Sequence, residues 1–159
     1  MPADFTGKRI IITGAATGIG RSTALRVSSN GAKVAAFDVN DTDGAATIGD
    51  INGAGGDARY WHVDVRDETA VAGAVAAAET WLGGIDVLIH VAGVLQGAAV
   101  DLDKFPEEMW DTVLDVNLRG SFIISKYVSG VMKTQGSGVI ILTASGAGVL
   151  GGSSSFAYG

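Results

Sequence analysis

Short apolar runs recur along the chain at intervals that suit alternating strands and helices. The first, Arg9–Thr13, holds three consecutive isoleucines and is followed directly by glycine, which predicts a strand buried on both faces. Runs of the same kind predict four further strands: Lys33–Asp38, Ala58–Val63, Asp86–Val91 and Val139–Leu142. The pattern therefore favours a parallel sheet that is covered on both sides.

The stretches between the strands have helical spacing. The first predicts a helix that ends at Gly31, a residue type that favours helix C-termini. Thr42–Asn52, rich in glycine and aspartate, predicts a weaker helix, and a third helix is predicted to begin at Asp67 or Thr69. The positions that carry these patterns are Ile19, Thr23 and Val27 in the first helix and Val71, Val75, Ala78 and Leu82 in the third.

A long helix is predicted after the loop that spans residues 93–105. Pro106 lies at its start, where the missing N–H costs no hydrogen bond. Asn117 lies among its apolar positions, and a buried amide is costly there unless it is hydrogen bonded. The pattern is carried by Trp110, Val113, Leu114, Asn117, Ser121, Phe122 and Val128.

Strands that alternate with helices indicate right-handed βαβ units and an α/β fold with a doubly wound parallel sheet in three α/β/α layers. The expected strand order, by analogy with other sheets of this kind, is 3-2-1-4-5. No repeat and no change in composition divides the chain, so residues 1–159 are predicted to form one domain.

Composition and charge exclude several classes of function. The net charge is −6 without a basic run, which argues against a nucleic-acid partner. The chain has no cysteine and two histidines, so we expect no disulfide and no metal site. No run approaches ~18 apolar residues, so we expect no membrane partner and a cytoplasmic location.

The glycine-rich segment Thr13–Gly20 lies between the first predicted strand and the first predicted helix. The first turn of a helix has unpaired N–H groups and a partial positive charge, and residues without side chains let an anion approach. This position predicts a diphosphate-binding turn that uses Gly14, Thr17, Gly18, Ile19 and Gly20.

Asp38 ends the second predicted strand, 24 residues after Gly14. A carboxylate at this point can accept hydrogen bonds from both hydroxyls of an adenosine ribose, and it repels a 2′-phosphate. The next residue is Val39, and position 17 in the glycine turn is threonine rather than a basic residue. The sequence therefore favours NAD over NADP as cofactor.

Taken together, these motifs resemble the short-chain dehydrogenase/reductase family over all 159 residues. The glycine turn has the form TGxxxGIG, and Ser145 and Tyr158 are 13 residues apart, as in that family. The resemblance implies a Rossmann fold, an adenine-contacting pair at Asp64 and Val65, and further cofactor contacts at Ala92 and Gly93. It implies Asn117, Ser145 and Tyr158 as the catalytic residues.

Two departures from the family pattern stand out. His90 and Val91 replace both asparagines of its Asn-Asn-Ala-Gly segment, which puts hydrogen bonds that stabilise the sheet in question. The lysine of the family's Tyr-x-x-x-Lys motif would fall at position 162, beyond the last residue, Gly159. We therefore expect a domain truncated after its fifth strand, within a chain of about 250 residues by resemblance.

The resemblance implies an NAD-dependent enzyme that interconverts a small secondary alcohol and a ketone. Tyr158 would be the acid/base, Ser145 would hold the substrate oxygen, and residues 94–97 and 146–152 would form part of the substrate wall. Asn117 would order a water at a helix kink, or it would simply be an amide bonded to backbone. The family's interface helix, here Phe122–Val131, implies a homo-oligomer, a tetramer or dimer.

Two other functions stay open. One is a non-catalytic dinucleotide-binding or interaction protein that lacks the active-site lysine. The other is a sugar-nucleotide epimerase or dehydratase, although these enzymes usually have a shorter glycine spacing than Thr13–Gly20. His62 and His90 are possible bases, but their places near the ends of apolar strands favour structural roles.

Overall fold

Five strands form one parallel sheet in the computed structural model of the protein, which describes residues 4–150 and 153–158. Their order is β3-β2-β1-β4-β5, which confirms the predicted order and the doubly wound fold. The chain adds strands outward from β1 to β3 and then returns to place β4 on the other side of β1. The strands are β1 (Arg9–Thr13), β2 (Lys33–Asp38), β3 (Asp57–His62), β4 (Val87–His90) and β5 (Val139–Leu142).

Helices connect the strands and end where local signals stop them. Asp67 caps α3 by accepting hydrogen bonds from two backbone N–H groups, and Gly83, with φ of 80°, ends it. A π-helical turn, Asp115–Arg119, interrupts the predicted long helix and divides it into α4 and α5. The helices are α1 (Gly18–Ser29), α2 (Asp41–Gly53), α3 (Glu68–Leu82), α4 (Glu107–Leu114), α5 (Gly120–Gln135) and the short α6 (Ala147–Leu150).

The two faces of the sheet bury separate apolar clusters, which gives the three predicted layers. Ile11, Phe37 and Leu88 pack on one face against residues of α3 and α5. Ile10 and Ile12 pack on the opposite face with residues of α1 and α2. Within the described residues, no helix combines the length and apolar character needed to cross a membrane.

Some predicted details differ from the structure. β3 begins and ends one residue earlier than predicted, and β4 is shorter by one residue at each end. The buried face of α1 is the predicted one only in part: Val27 is buried as predicted, but Ile19 is 70% exposed, and Gly20 and Ala24 are buried. Small residues let α1 pack closely on the sheet, and a search for large apolar residues at helical spacing misses such a face.

The apolar residues at the end of the chain are less covered than their sequence predicts. β5 is apolar throughout, yet Val139, Ile141 and Leu142 are each about half exposed. Trp110 and Phe122, expected within the stripe of the long helix, are 42% and 65% exposed. Hydrophobicity alone therefore does not determine burial in this half of the molecule.

Replacing Leu88 should lower the stability of the fold. Its side chain is fully buried in β4, so Leu88→Ala should lower the free energy of unfolding by about 2–5 kcal/mol through lost burial and the cavity left behind. Urea denaturation measures the change. Leu102→Ala removes the same atoms from a side chain that is 66% exposed, and it should change the value by less than about 0.5 kcal/mol. Equal losses in the two variants would contradict the described core.

Candidate functional site

A cavity of about 600 Å³ lies at the carboxyl ends of the central strands. Its position beside the carboxyl ends of β1 and β4, where the direction of strand addition reverses, is where open α/β sheets bind ligands. All of the residues predicted to bind cofactor line it. Their role in binding stays a prediction. They are Gly14, Thr17, Gly18, Ile19, Gly20, Asp38, Asp64, Val65, Ala92 and Gly93.

The glycine turn presents the N-terminus of α1 to this cavity. Gly14 and Gly18 have φ of 66° and 52°, values that side chains disfavour, and a Cβ on Gly20 would overlap the Gly14 carbonyl. Thr17 precedes the helix without capping it through its side chain, and the first turn contains no acidic residue. The positive end of α1 is therefore not neutralised locally and can receive an anion.

The Asp38 carboxylate is fixed at the end of β2 by backbone groups. One oxygen accepts a hydrogen bond from the Ala16 N–H at 2.9 Å, and the other accepts from the Asn40 N–H at 3.0 Å. Among the described residues, no Lys, Arg or His forms an ion pair with it. Because each oxygen keeps a free lone pair, this carboxylate can accept two further hydrogen bonds from a ligand.

Asp64 is held by a neighbour that the sequence analysis did not single out. The Arg66 guanidinium binds both Asp64 oxygens, with its Nη2 2.7 Å from Oδ2, and this contact lowers the pKa of the Asp64 carboxyl. Arg66 also lines the cavity. An exposed arginine just after a strand belongs to no periodic pattern, so the sequence offered no signal for it.

Thr13 and His90 connect β1 to β4 at the base of the cavity. The Thr13 hydroxyl accepts hydrogen bonds from the N–H groups of Val91 and Ala92, each at 3.2 Å, and lies 2.6 Å from Nδ1 of His90. A hydroxyl that accepts two hydrogen bonds donates its own hydrogen, which assigns His90 as an acceptor at Nδ1. His90, at a position where the family pattern has asparagine, therefore forms a hydrogen bond between the two strands.

His90 is held neutral by its surroundings. The residue is only 2% exposed, and this burial lowers the pKa of its side chain from 6.5 to about 4. Nε2 carries the proton and has no hydrogen-bond partner among the described residues. His90 is thus a structural histidine of the sheet. His62 lies at the end of β3 beside Asp41, and its side chain is 59% exposed. Both positions agree with the structural roles favoured by the sequence.

Asn117 lies in the middle of the π-helical turn, where its amide binds the loop that follows β4. Its Oδ1 accepts from the Val94 N–H at 2.8 Å, and its Nδ2 donates to the Val94 carbonyl at 2.9 Å. Both interpretations offered by the sequence, a helix irregularity and an amide satisfied by backbone, describe this arrangement. A catalytic role for Asn117 stays a prediction.

Ser145 and Tyr158 lie on the segments that follow β5. The Ser145 hydroxyl accepts a hydrogen bond from the Ala147 N–H at 3.2 Å, and the Tyr158 N–H donates to the Ser155 carbonyl at 3.3 Å. Neither residue, nor Asn117, belongs to the lining of the cavity described above. Of the predicted substrate wall, residues 151 and 152 lie outside the described part of the chain.

Several lining residues were not predicted from the sequence. Most are apolar residues without a chemical group that marks a site, so the sequence gave no signal for them. Val39 follows Asp38 directly, and Thr112 reaches the cavity from α4. The full set is Phe37, Val39, Val63, Arg66, Val91, Thr112 and Val116, while Val94, predicted as part of the substrate wall, also lines the cavity.

Comparison with protein families and known proteins gives a consistent result. Residues 8–159 match the family model described as short chain dehydrogenase. An uncharacterized oxidoreductase of Thermotoga maritima is 36% identical over 93% of this chain and 57% of its own length. A 2,5-dichloro-2,5-cyclohexadiene-1,4-diol dehydrogenase of Sphingobium indicum is 37% identical over 94% of this chain and 58% of its own.

Solved structures agree with these matches. The crystal structure of an NAD⁺-bound xylitol dehydrogenase superposes with a TM-score of 0.93 and 38% identity. The superposition covers 99% of this chain and 60% of that one. The chain therefore spans about half to three fifths of the length of the relatives it matches.

Acidification should destabilise the wild-type protein through His90. The unfolded state takes up a proton at this residue near pH 6.5, whereas the folded state takes it up only near pH 4. The stability that neutral His90 contributes is therefore present above pH 6.5 and is lost as the pH falls toward 4. Between pH 7 and 5, the free energy of unfolding of wild type should fall by roughly 2 kcal/mol more than that of His90→Asn. Urea denaturation at the two pH values measures this, and parallel losses in both proteins would refute the assignment.

Proposed function

Because the chain belongs to the short-chain dehydrogenase family, we propose that it supplies the cofactor site and the catalytic Asn117, Ser145 and Tyr158 of an oxidoreductase. The reaction is the interconversion of a secondary alcohol and a ketone with NAD as the cofactor. One observation carries the proposal: the glycine turn, the end of β2 and the loop after β4 surround one cavity at the point where strand addition reverses.

The residues around the cavity suit a dinucleotide. The uncapped N-terminus of α1 suits a diphosphate, and a Cβ placed on Gly18 would meet no atom within 4 Å, so this residue borders open space. Asp38 would bind the two hydroxyls of the adenosine ribose with the free lone pairs of its carboxylate. The Asp64 carboxylate, held by Arg66, would lie beside the adenine.

NAD rather than NADP is the cofactor that this charge pattern favours. A 2′-phosphate would bring negative charge toward the Asp38 carboxylate, which has no cation paired with it among residues 4–150 and 153–158. Two similar proteins point the same way. One is the NAD⁺-bound xylitol dehydrogenase, and the other, 36% identical, is a 2-dehydro-3-deoxy-L-rhamnonate dehydrogenase (NAD(+)) of Sphingomonas sp..

The bound nicotinamide would supply the hydride acceptor, while side chains of the chain would handle the proton. Tyr158 would accept the proton of the alcohol, and Ser145 would hold the substrate oxygen by a hydrogen bond. A free phenol has a pKa of about 10, so a nearby cation is needed to favour the phenolate at neutral pH. The family's lysine, four residues after the tyrosine, would supply that charge in the whole protein.

We further propose a homo-oligomer and a cytoplasmic location for the whole protein. Leu118 and Phe122, at the junction of the π-helical turn and α5, are 68% and 65% exposed, and a second subunit would cover them. The size of the assembly, a tetramer or a dimer, follows by analogy with the family.

The intact mass of the natural protein decides between enzyme and binding protein. A mass well above 16.1 kDa, with lysine at position 162, supports the enzyme. A mass that corresponds to these residues alone would leave a protein that binds NAD without catalysis. Titration with NADH, followed by fluorescence, then tests the cofactor site independently of turnover.

Replacing Asp38 should change the choice of cofactor. Asp38→Ala should weaken NADH binding by at least roughly 100-fold, since it removes two hydrogen bonds to a charged group, each worth about 1.5–3 kcal/mol, and it should bind NADPH better than wild type does. Fluorescence titration with both cofactors measures the ratio of dissociation constants. The control is Asp57→Ala. Asp57 begins β3, at the edge of the sheet opposite to the one where Asp38 lies, so removing its exposed carboxylate should leave this ratio unchanged. An unchanged ratio in Asp38→Ala would remove the argument for NAD.

Replacing Tyr158 should abolish turnover and spare cofactor binding. In the full-length protein, Tyr158→Phe should lower kcat by at least 10²-fold, because general acid–base catalysis contributes typically about 10²–10⁴-fold. The assay follows NAD reduction at a panel of secondary alcohols that includes cyclohexanol, 2-butanol and xylitol. NADH should bind this variant as tightly as wild type. Full activity in Tyr158→Phe would show that another group moves the proton.

A further inference from the structure

The segment that carries Tyr158 is attached to the loop that follows β4. Because β4 and β5 are neighbouring parallel strands, the segments that follow them leave the sheet side by side. A backbone hydrogen bond joins the two segments, since the Ala99 N–H donates to the Ser154 carbonyl at 2.7 Å. This bond lies four residues before Tyr158.

Ala99 adopts an unusual conformation to make this bond. Its φ is 60°, and no other described residue apart from glycine has a positive φ. A Cβ disfavours this conformation, which persists only where the surrounding structure holds it. The backbone is therefore constrained at the residue that contacts the Tyr158 segment.

An aromatic pair makes a second attachment. The rings of Phe105 and Phe156 meet edge to face, with centroids 6.1 Å apart and planes at 90°. Gly97, with φ of 69°, lies so close to Phe105 that a Cβ would overlap the ring. The absence of a side chain at Gly97 thus gives Phe105 the space in which it contacts Phe156.

Between the attachments, the Tyr158 segment is fixed by its own hydrogen bonds. The Ser153 hydroxyl donates to the Ser155 carbonyl at 2.8 Å and accepts from the Ser155 N–H at 3.2 Å. Ser155 and Ala157 are buried, while Phe156 points toward Phe105. The Tyr158 N–H closes the turn by donating to the Ser155 carbonyl.

We propose that Ala99, Phe105 and Phe156 are positioning residues for Tyr158. Through the bond to Ser154 and the ring contact, the loop after β4 sets the place of the tyrosine relative to the cavity at which that loop begins. The inference rests on the proposed role of Tyr158 as acid/base. It adds a structural connection between the loop after β4 and the segment that carries Tyr158, which the catalytic assignment treats as separate.

The test measures kcat and KM in the full-length protein, with the alcohol of the panel that wild type oxidises fastest. Phe105→Leu and Phe156→Leu should each lower kcat by roughly three- to tenfold, the loss expected when an edge-to-face contact is removed from the positioning of a reacting group. KM for NAD should stay within about twofold in both. The double variant should be no slower than the slower single variant, because both changes remove the same contact.

Two further variants separate positioning from stability. Phe5→Leu makes the same change at the opposite end of the sheet and should leave kcat unchanged. Ala99→Gly keeps the N–H and relieves the backbone conformation, so it should keep wild-type kcat, whereas Ala99→Pro removes the N–H and cannot adopt a φ of 60°, so it should lower kcat. Hydrogen exchange of residues 153–158 should be faster in Phe105→Leu and Ala99→Pro than in wild type.

Each outcome has a distinct meaning. Wild-type kcat in both phenylalanine variants, or additive losses in the double variant, overturns the positioning role while the proposed reaction stands. Lower melting temperatures with unchanged kcat assign the contacts to stability alone and also overturn it. No turnover by wild type with any alcohol of the panel would instead refute the proposed reaction, and positioning of an acid/base would be refuted with it.

Discussion

The hydroxyl of Thr13 is the contact on which the geometry of the site depends. Pairing between β1 and β4 ends at Thr13 and His90, and beyond that pair the chain of β4 turns away from the sheet. The hydroxyl binds the next two backbone N–H groups and the His90 ring, so the loop leaves β4 in a fixed direction. Gly14 approaches this loop so closely that a Cβ would lie 2.8 Å from the Ala92 nitrogen. The glycine turn and the loop therefore form one rigid wall of the cavity.

The sequence predicted those parts of the molecule that depend on local order along the chain. The bounds of β1, β2 and β5, the strand order, and the places of the glycine turn and Asp38 at the cavity follow from apolar runs, glycine positions and one aspartate at a strand end. These features are determined by neighbours in sequence or by the rules that govern parallel sheets. For this reason the pattern of residues was sufficient to place them.

Other features depend on contacts that no periodic pattern of residues marks, and the sequence did not show them. Arg66 contacts Asp64, but an exposed arginine in a loop has no distinctive spacing. The pairing of Phe105 with Phe156 joins residues 51 positions apart, and neither lies in a periodic element. The buried face of α1 consists largely of small residues, which a hydrophobic pattern scores weakly. The exposure of β5 likewise depends on what surrounds the strand rather than on its own composition.

The π-helical turn fixes the length of the chain between α4 and α5. Val113 and Met132 are 19 residues apart, which on a straight helix with 3.6 residues per turn would leave them about 100° apart. Both are buried, and a wider turn that absorbs one residue leaves 18, which make about five full turns. Deleting one residue from the turn would regularise the helix and, in the same step, take the Asn117 amide out of reach of Val94. The number of residues here is thus constrained as strictly as their identity.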